Sequence, residues 1–96
     1  ILGVESAEYV DSITESAVVT TTGIRSTSRE TGCYLSAYVL AGGDGETQTG
    51  FGFSIGREPG DLGPERAAAD AVERATRLLG AVKPDSARLT VVLDPW

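Results

Sequence analysis

The chain has 96 residues, 41 % of them hydrophobic and 23 % charged, which is enough for one compact domain with a single core. Its formal net charge of −6 argues against direct binding to nucleic acid, because phosphate recognition depends on clustered lysine and arginine. A single cysteine, Cys33, excludes an internal disulfide, and no apolar run approaches the roughly 20 residues needed to cross a bilayer. We therefore expect a soluble, cytoplasmic protein with neither nucleic-acid nor membrane partners.

The first third of the chain is rich in β-branched and polar residues. Residues 8–13 are predicted to form a strand, turned by the polar residues 14–16. We predict one long strand over residues 17–22 and 24–29, broken by a bend or bulge at Gly23.

The middle of the chain alternates with a period of two, which predicts a β-hairpin. One apolar set belongs to the first strand and a second set to the next: Cys33, Leu35, Ala37, Val39 and Ala41, then Thr47, Thr49, Phe51, Phe53 and Ile55. A three-residue loop over 43–45, with Gly45 left-handed, would place Leu35 opposite Phe53 and Ala37 opposite Phe51. In that register Tyr38 covers Gly50 and Ser36 covers Gly52.

A helix is predicted from about Pro64, since proline suits the first helical turn and the carboxylates of Asp61 and Glu65 favour the positive end of the helix dipole. Gly80 and Pro84 mark its end. The helix is expected to pack on the sheet face that carries Leu35, Phe51 and Phe53, through Ala68, Ala71, Val72, Ala75 and Leu79.

The apolar residues 89–93 are predicted to form a final, well-covered strand. The whole pattern indicates an α+β fold, a mainly antiparallel sheet with one α-helix packed on one face. We expect a single domain over residues 1–96. Because the chain ends at Asp94-Pro95-Trp96, directly after this apolar segment, we expect it to be a fragment of a longer protein.

Candidate chemistry is sparse. The chain contains no histidine, which excludes Ser-His-Asp and Cys-His catalysis and histidine zinc sites within it. Cys33 is predicted to point into the core, and Asp44 and Asp61 to bond to nearby backbone amides. We therefore assign no catalytic, cofactor-binding or metal-ligating residue. Two roles are compatible with Tyr34, Tyr38 and Leu40, which share the outward face. These side chains either cover glycines or form an interface with another protein.

Six segments of the sequence form a recognisable series: Thr31-Gly32-Cys33, Glu46-Thr47-Gln48-Thr49-Gly50, Gly60-Asp61-Leu62-Gly63-Pro64-Glu65, Ala71-Val72-Glu73-Arg74-Ala75, Leu78-Leu79-Gly80-Ala81 and Val91-Val92-Leu93-Asp94-Pro95. Together they resemble the central domain of the TldD/PmbA metallopeptidase family, also described as modulators of DNA gyrase. Phe53-Ser54, with the later Arg57 and Asp61-Leu62, is more similar to PmbA-type subunits, which lack the zinc motif. In TldD-type subunits that motif follows the strand matched by residues 91–93, beyond Trp96.

The resemblance implies a non-catalytic scaffold and assembly domain in a dimeric protein that takes part in cytoplasmic peptide proteolysis. Its partners would be a sister subunit or a second copy, with peptide substrate bound only by the full assembly. No cofactor is expected in this chain, and any zinc of the parent assembly would lie outside these residues. The alternative is a stand-alone protein-interaction module that uses the Tyr34/Tyr38 face or a sheet edge.

Overall fold

The computed structural model describes residues 1–93 and 95. Three strands form one antiparallel sheet in the order β1-β2-β3, and one helix lies on one face of it. The elements are β1 (Gly3–Val19), β2 (Arg25–Gly43), β3 (Glu46–Gly56), a single 3₁₀ turn (Pro59–Asp61) and α1 (Pro64–Arg77). The predicted α+β fold class is confirmed.

The first two strands form one long hairpin, so the strand boundaries predicted for residues 8–29 are wrong. The Gly23 N–H donates to the Thr20 carbonyl at 3.1 Å, and Gly23 has a φ of 91°, which makes it part of a chain reversal and not a bend within one strand. The expected turn at 14–16 is strand as well. Its polar side chains pair across to β2, with the Ser16 and Ser28 hydroxyls 2.6 Å apart.

The second hairpin closes with a two-residue turn, not with the predicted three-residue loop. Asp44 and Gly45 have φ values of 53° and 87°, the two positive angles of a type I′ turn, whose twist matches that of the flanking strands. Leu35 therefore lies opposite Ser54 and Ala37 opposite Gly52. The register differs by one residue from the prediction.

A one-residue shift moves every side chain of a strand to the other face. Gly50 and Gly52 consequently lie beneath α1, and Phe51 and Phe53 lie on the opposite face, next to Tyr38. A Cβ atom on Gly50 would collide with the Ala71 carbonyl. The prediction that the helix covers Phe51 and Phe53 is wrong, and so is the prediction that Tyr38 and Ser36 cover the glycines. The helix itself covers them.

The helix begins at Pro64 as predicted, and Gly80 beyond its end is left-handed with a φ of 71°. Its contact stripe is narrower than expected: Ala67, Ala71 and Ala75 are fully buried at a spacing of four residues. Ala71 and Ala75 share a small core with Val39 and Ala41 of β2. The remaining predicted contact residues lie largely in solvent: Ala68, Val72 and Leu79.

Side chains tie both ends of the helix to β3. The Gly63 N–H donates to the Ser54 hydroxyl at 3.0 Å before the first turn, and the Gly80 N–H donates to the Glu46 carboxylate at 3.0 Å after the last. Between β3 and the helix, the Asp61 carboxylate accepts the N–H groups of Arg57 and Glu58. The local backbone role predicted for Asp61 is confirmed.

The predicted strand over residues 89–93 is absent. These residues are extended and mostly in solvent, with Leu89 75 % and Val92 92 % exposed. A short apolar segment becomes a strand only where a neighbouring strand accepts its backbone hydrogen bonds, and no described strand pairs with it. Asp94 and Trp96, which close this segment, lie outside the described residues.

Candidate interaction face

The face of the sheet turned away from α1, called here the outer face, carries most of the large apolar side chains of β2 and β3. The strand register places these residues on it, among others: Val10, Tyr34, Ser36, Tyr38, Leu40, Thr49, Phe51, Phe53 and Ile55. Tyr34, Tyr38 and Leu40 were the candidates of the sequence analysis, and the structure brings them together. Phe51, Phe53 and Ile55 were missed because the predicted register turned them inward.

Three of these rings form a stacked group along the two strands. Tyr38 and Phe51 lie directly opposite each other, with ring centroids 4.6 Å apart and planes inclined by 35°. Phe51 and Phe53 follow on the same strand, with centroids 5.4 Å apart and planes inclined by 20°. Each such pair stabilises by about 0.5–1.5 kcal/mol beyond simple burial, so the group is held in a fixed geometry.

The outer face is open to solvent. Tyr38 is 41 % exposed and Ile55 68 % exposed, although neither stands at a loop tip. Exposed apolar residues are ordinary when scattered singly, but a contiguous apolar patch on a rigid sheet is typical of a surface that binds another protein. The arrangement can therefore supply apolar contact area with fixed shape.

One edge of the outer face is polar and fixed by a hydrogen bond between strands. The Tyr34 hydroxyl donates to the Glu8 carboxylate of β1 at 2.6 Å. This bond raises the pKa of Tyr34 above its ordinary value, and partial burial and the charge of Glu8 act in the same direction. The hydrogen bond to Glu8 holds the Tyr34 ring in one orientation at the rim of the patch.

Cys33 lies on the helix side of the sheet and is only 6 % exposed. Its thiol donates to the Gly56 carbonyl over 3.6 Å. Burial raises the pKa of the thiol, and the negative charges of Asp61, Asp11 and Glu58 raise it further. A nucleophilic cysteine needs the opposite surroundings, because the thiolate is the reactive form. The buried position predicted for Cys33 is confirmed.

A shallow, open depression of about 580 Å³ lies next to Cys33, lined among others by Asp11, Ile13, Arg57 and Glu58. Within residues 1–93 and 95, no three histidine, cysteine, aspartate or glutamate side chains are arranged to hold a metal ion. The same part of the chain has no helix long and apolar enough to cross a membrane.

Comparison with known proteins identifies the family. The family described as "PmbA/TldA metallopeptidase central domain" matches residues 2–79, a span that contains all three strands and α1. The chain belongs to this family, which confirms the resemblance seen in the sequence. No curated protein and no solved structure matches the chain. The closer likeness to PmbA-type subunits stays a prediction.

Proposed function

We propose that this chain is a non-catalytic scaffold domain of a PmbA/TldA-like peptidase, and that its outer face is buried in the assembly that carries out cytoplasmic peptide proteolysis. The observation that supports this proposal best is the ordered, partly exposed group of Tyr38, Phe51 and Phe53 in a member of a central-domain family.

Rigid aromatic side chains suit the centre of a protein interface, because they bury a large area at little cost in side-chain entropy. The Tyr38–Phe51 pair is already oriented by stacking, and Tyr34 is oriented by Glu8. A partner that covers this patch therefore gains apolar contact without having to order these rings. Either a sister subunit or a second copy could provide the covering surface.

Four carboxylates of the chain make contacts that hold its own structure, which supports a scaffold role over catalysis. Asp61 accepts two backbone N–H groups, and Glu46 accepts the N–H of Gly80. Glu8 accepts the Tyr34 hydroxyl, and Glu15 lies 3.4 Å from Arg29. We infer that zinc, where the parent assembly uses it, is held by residues outside this chain, and that peptide substrate binds only to the full assembly.

Substitution of the outer face tests the proposal in the full-length protein. We expect the double variant Tyr38→Ser/Phe51→Ser to lose subunit association in size-exclusion chromatography with light scattering, because the interface would lose its aromatic centre. Tyr9→Ser is the matched control: Tyr9 is 51 % exposed but lies on the helix side of the sheet. Its association should equal that of the parent protein.

If the double variant folds and associates like the parent protein, the outer face is not the assembly surface. Circular dichroism must show native strand content in both variants, so that a loss of association is not a loss of folding. If the chain alone binds an unrelated protein through this face, and the peptidase assembly forms without it, the stand-alone interaction module becomes the better account.

A further inference from the structure

Arg74 reaches from the helix to the free edge of the sheet. β3 is the last strand in the order β1-β2-β3, so within residues 1–93 and 95 one of its sides has no neighbouring strand. The Arg74 Nη1 atom donates to the Phe51 carbonyl at 2.9 Å. Backbone groups that point outward recur at every second residue of an edge strand, and the Phe51 carbonyl lies near the middle of β3.

The sequence of β3 is unusual for an exposed edge. Residues 47–56 carry no charge and no proline, and Phe51, Phe53 and Ile55 alternate along them. Charges, prolines and covering elements are the usual means by which edge strands avoid pairing with other molecules. Uncharged segments of high β-propensity without proline are prone to stack as strands, a tendency that the glycines at 50, 52 and 56 reduce but do not replace with charge. The strand itself therefore offers little protection against self-association.

We propose that the Arg74 side chain occupies this edge and so prevents β3 of a second copy from pairing with it. An incoming strand would have to displace a charge-assisted hydrogen bond to the Phe51 carbonyl and to bury or expel a guanidinium. The second copy is the expected occupant because it presents the same uncharged strand, which can pair antiparallel about Phe51 without placing like charges opposite each other. This inference is independent of the role of the outer face.

Arg77 provides a matched control. It ends α1, three residues after Arg74, and carries the same charge. Arg74→Ala and Arg77→Ala therefore change the net charge equally, but only the first removes the donor to Phe51. We expect Arg74→Ala to strengthen self-association by roughly tenfold or more in sedimentation velocity, with Arg77→Ala unchanged.

Hydrogen exchange locates the contact. Residues 47–56 should gain protection in the Arg74→Ala oligomer, whereas association through the outer face would bury side chains without adding backbone hydrogen bonds to β3. Arg74→Gln keeps part of the aliphatic stem but lacks the charge, so we expect it to associate as well. This second variant tests the proposal if Arg74→Ala does not fold.

The proposal is overturned if Arg74→Ala and Arg74→Gln both fold and stay as monomeric as the parent chain. It is also overturned if Arg77→Ala associates as strongly as Arg74→Ala, since the effect would then be one of net charge alone. Protection gained along β1 instead of residues 47–56 would contradict it as well.

Discussion

Gly50→Ala is expected to displace α1 from the sheet and to lower the free energy of unfolding by about 3 kcal/mol or more. The new Cβ would collide with the Ala71 carbonyl and the Ala75 backbone nitrogen, and would lie 2.7 Å from the Ala75 Cβ. Backbone atoms of a helix cannot rotate away as a side chain would. Urea denaturation, followed by helix and strand signals in circular dichroism, measures the loss.

Gly32→Ala is the control for this effect. Gly32 also lies within a strand, but an added Cβ there would meet the Ser12 hydroxyl oxygen at 3.9 Å, an ordinary contact distance. We expect this variant to unfold within about 1 kcal/mol of the parent chain. If Gly50→Ala proved as stable as Gly32→Ala, α1 would not lie directly on β3 at this point.

Ala71→Leu is expected to have the second largest effect, about 3 kcal/mol, at the same interface. Ala71 is fully buried, and its backbone lies against both Gly50 and Gly52. The backbones are so close there that a larger side chain can enter only if the helix moves away from the sheet. The midpoint of thermal unfolding should fall accordingly.

Ala68→Leu tests the same chemical change three residues earlier in the helix, where the side chain is exposed. We expect its stability to stay within about 0.5 kcal/mol of the parent chain. Equal melting temperatures for the two leucine variants, in monomeric protein, would mean that the helix packs through another stripe.

Local signals in the sequence predict the helix and the two strands of the second hairpin, but not the register between those strands. Pro64 and Gly80 mark the ends of the helical region, and alternation from Cys33 to Ala41 shows which residues of β2 share a face. The register failed because it was chosen to bring the largest apolar residues together. The actual contact joins small residues: alanines four apart on the helix lie on glycines two apart on β3. The Asp44-Gly45 dipeptide, typical of a type I′ turn, was the local signal for the correct register.

Features that depend on pairing with another segment were not predictable from local sequence. Residues 14–16 are polar and resemble a turn, yet they are strand because Glu15 and Ser16 find partners in Arg29 and Ser28. Residues 89–93 resemble a strand, yet no described strand pairs with them. The outer face was predicted only in part for the same reason, since the positions of Phe51 and Phe53 follow from the register.

Solvent accessibility of the outer face in the full-length assembly tests the central claim most directly. Hydroxyl-radical footprinting with mass spectrometry can compare the oxidation rates of Tyr38, Phe51 and Ile55 in the isolated chain and in the assembled protein. If the outer face is an assembly surface, all three residues should be strongly oxidised in the isolated chain and protected in the assembly. Equal oxidation in the two states would contradict the account, because the outer face would then stay in solvent.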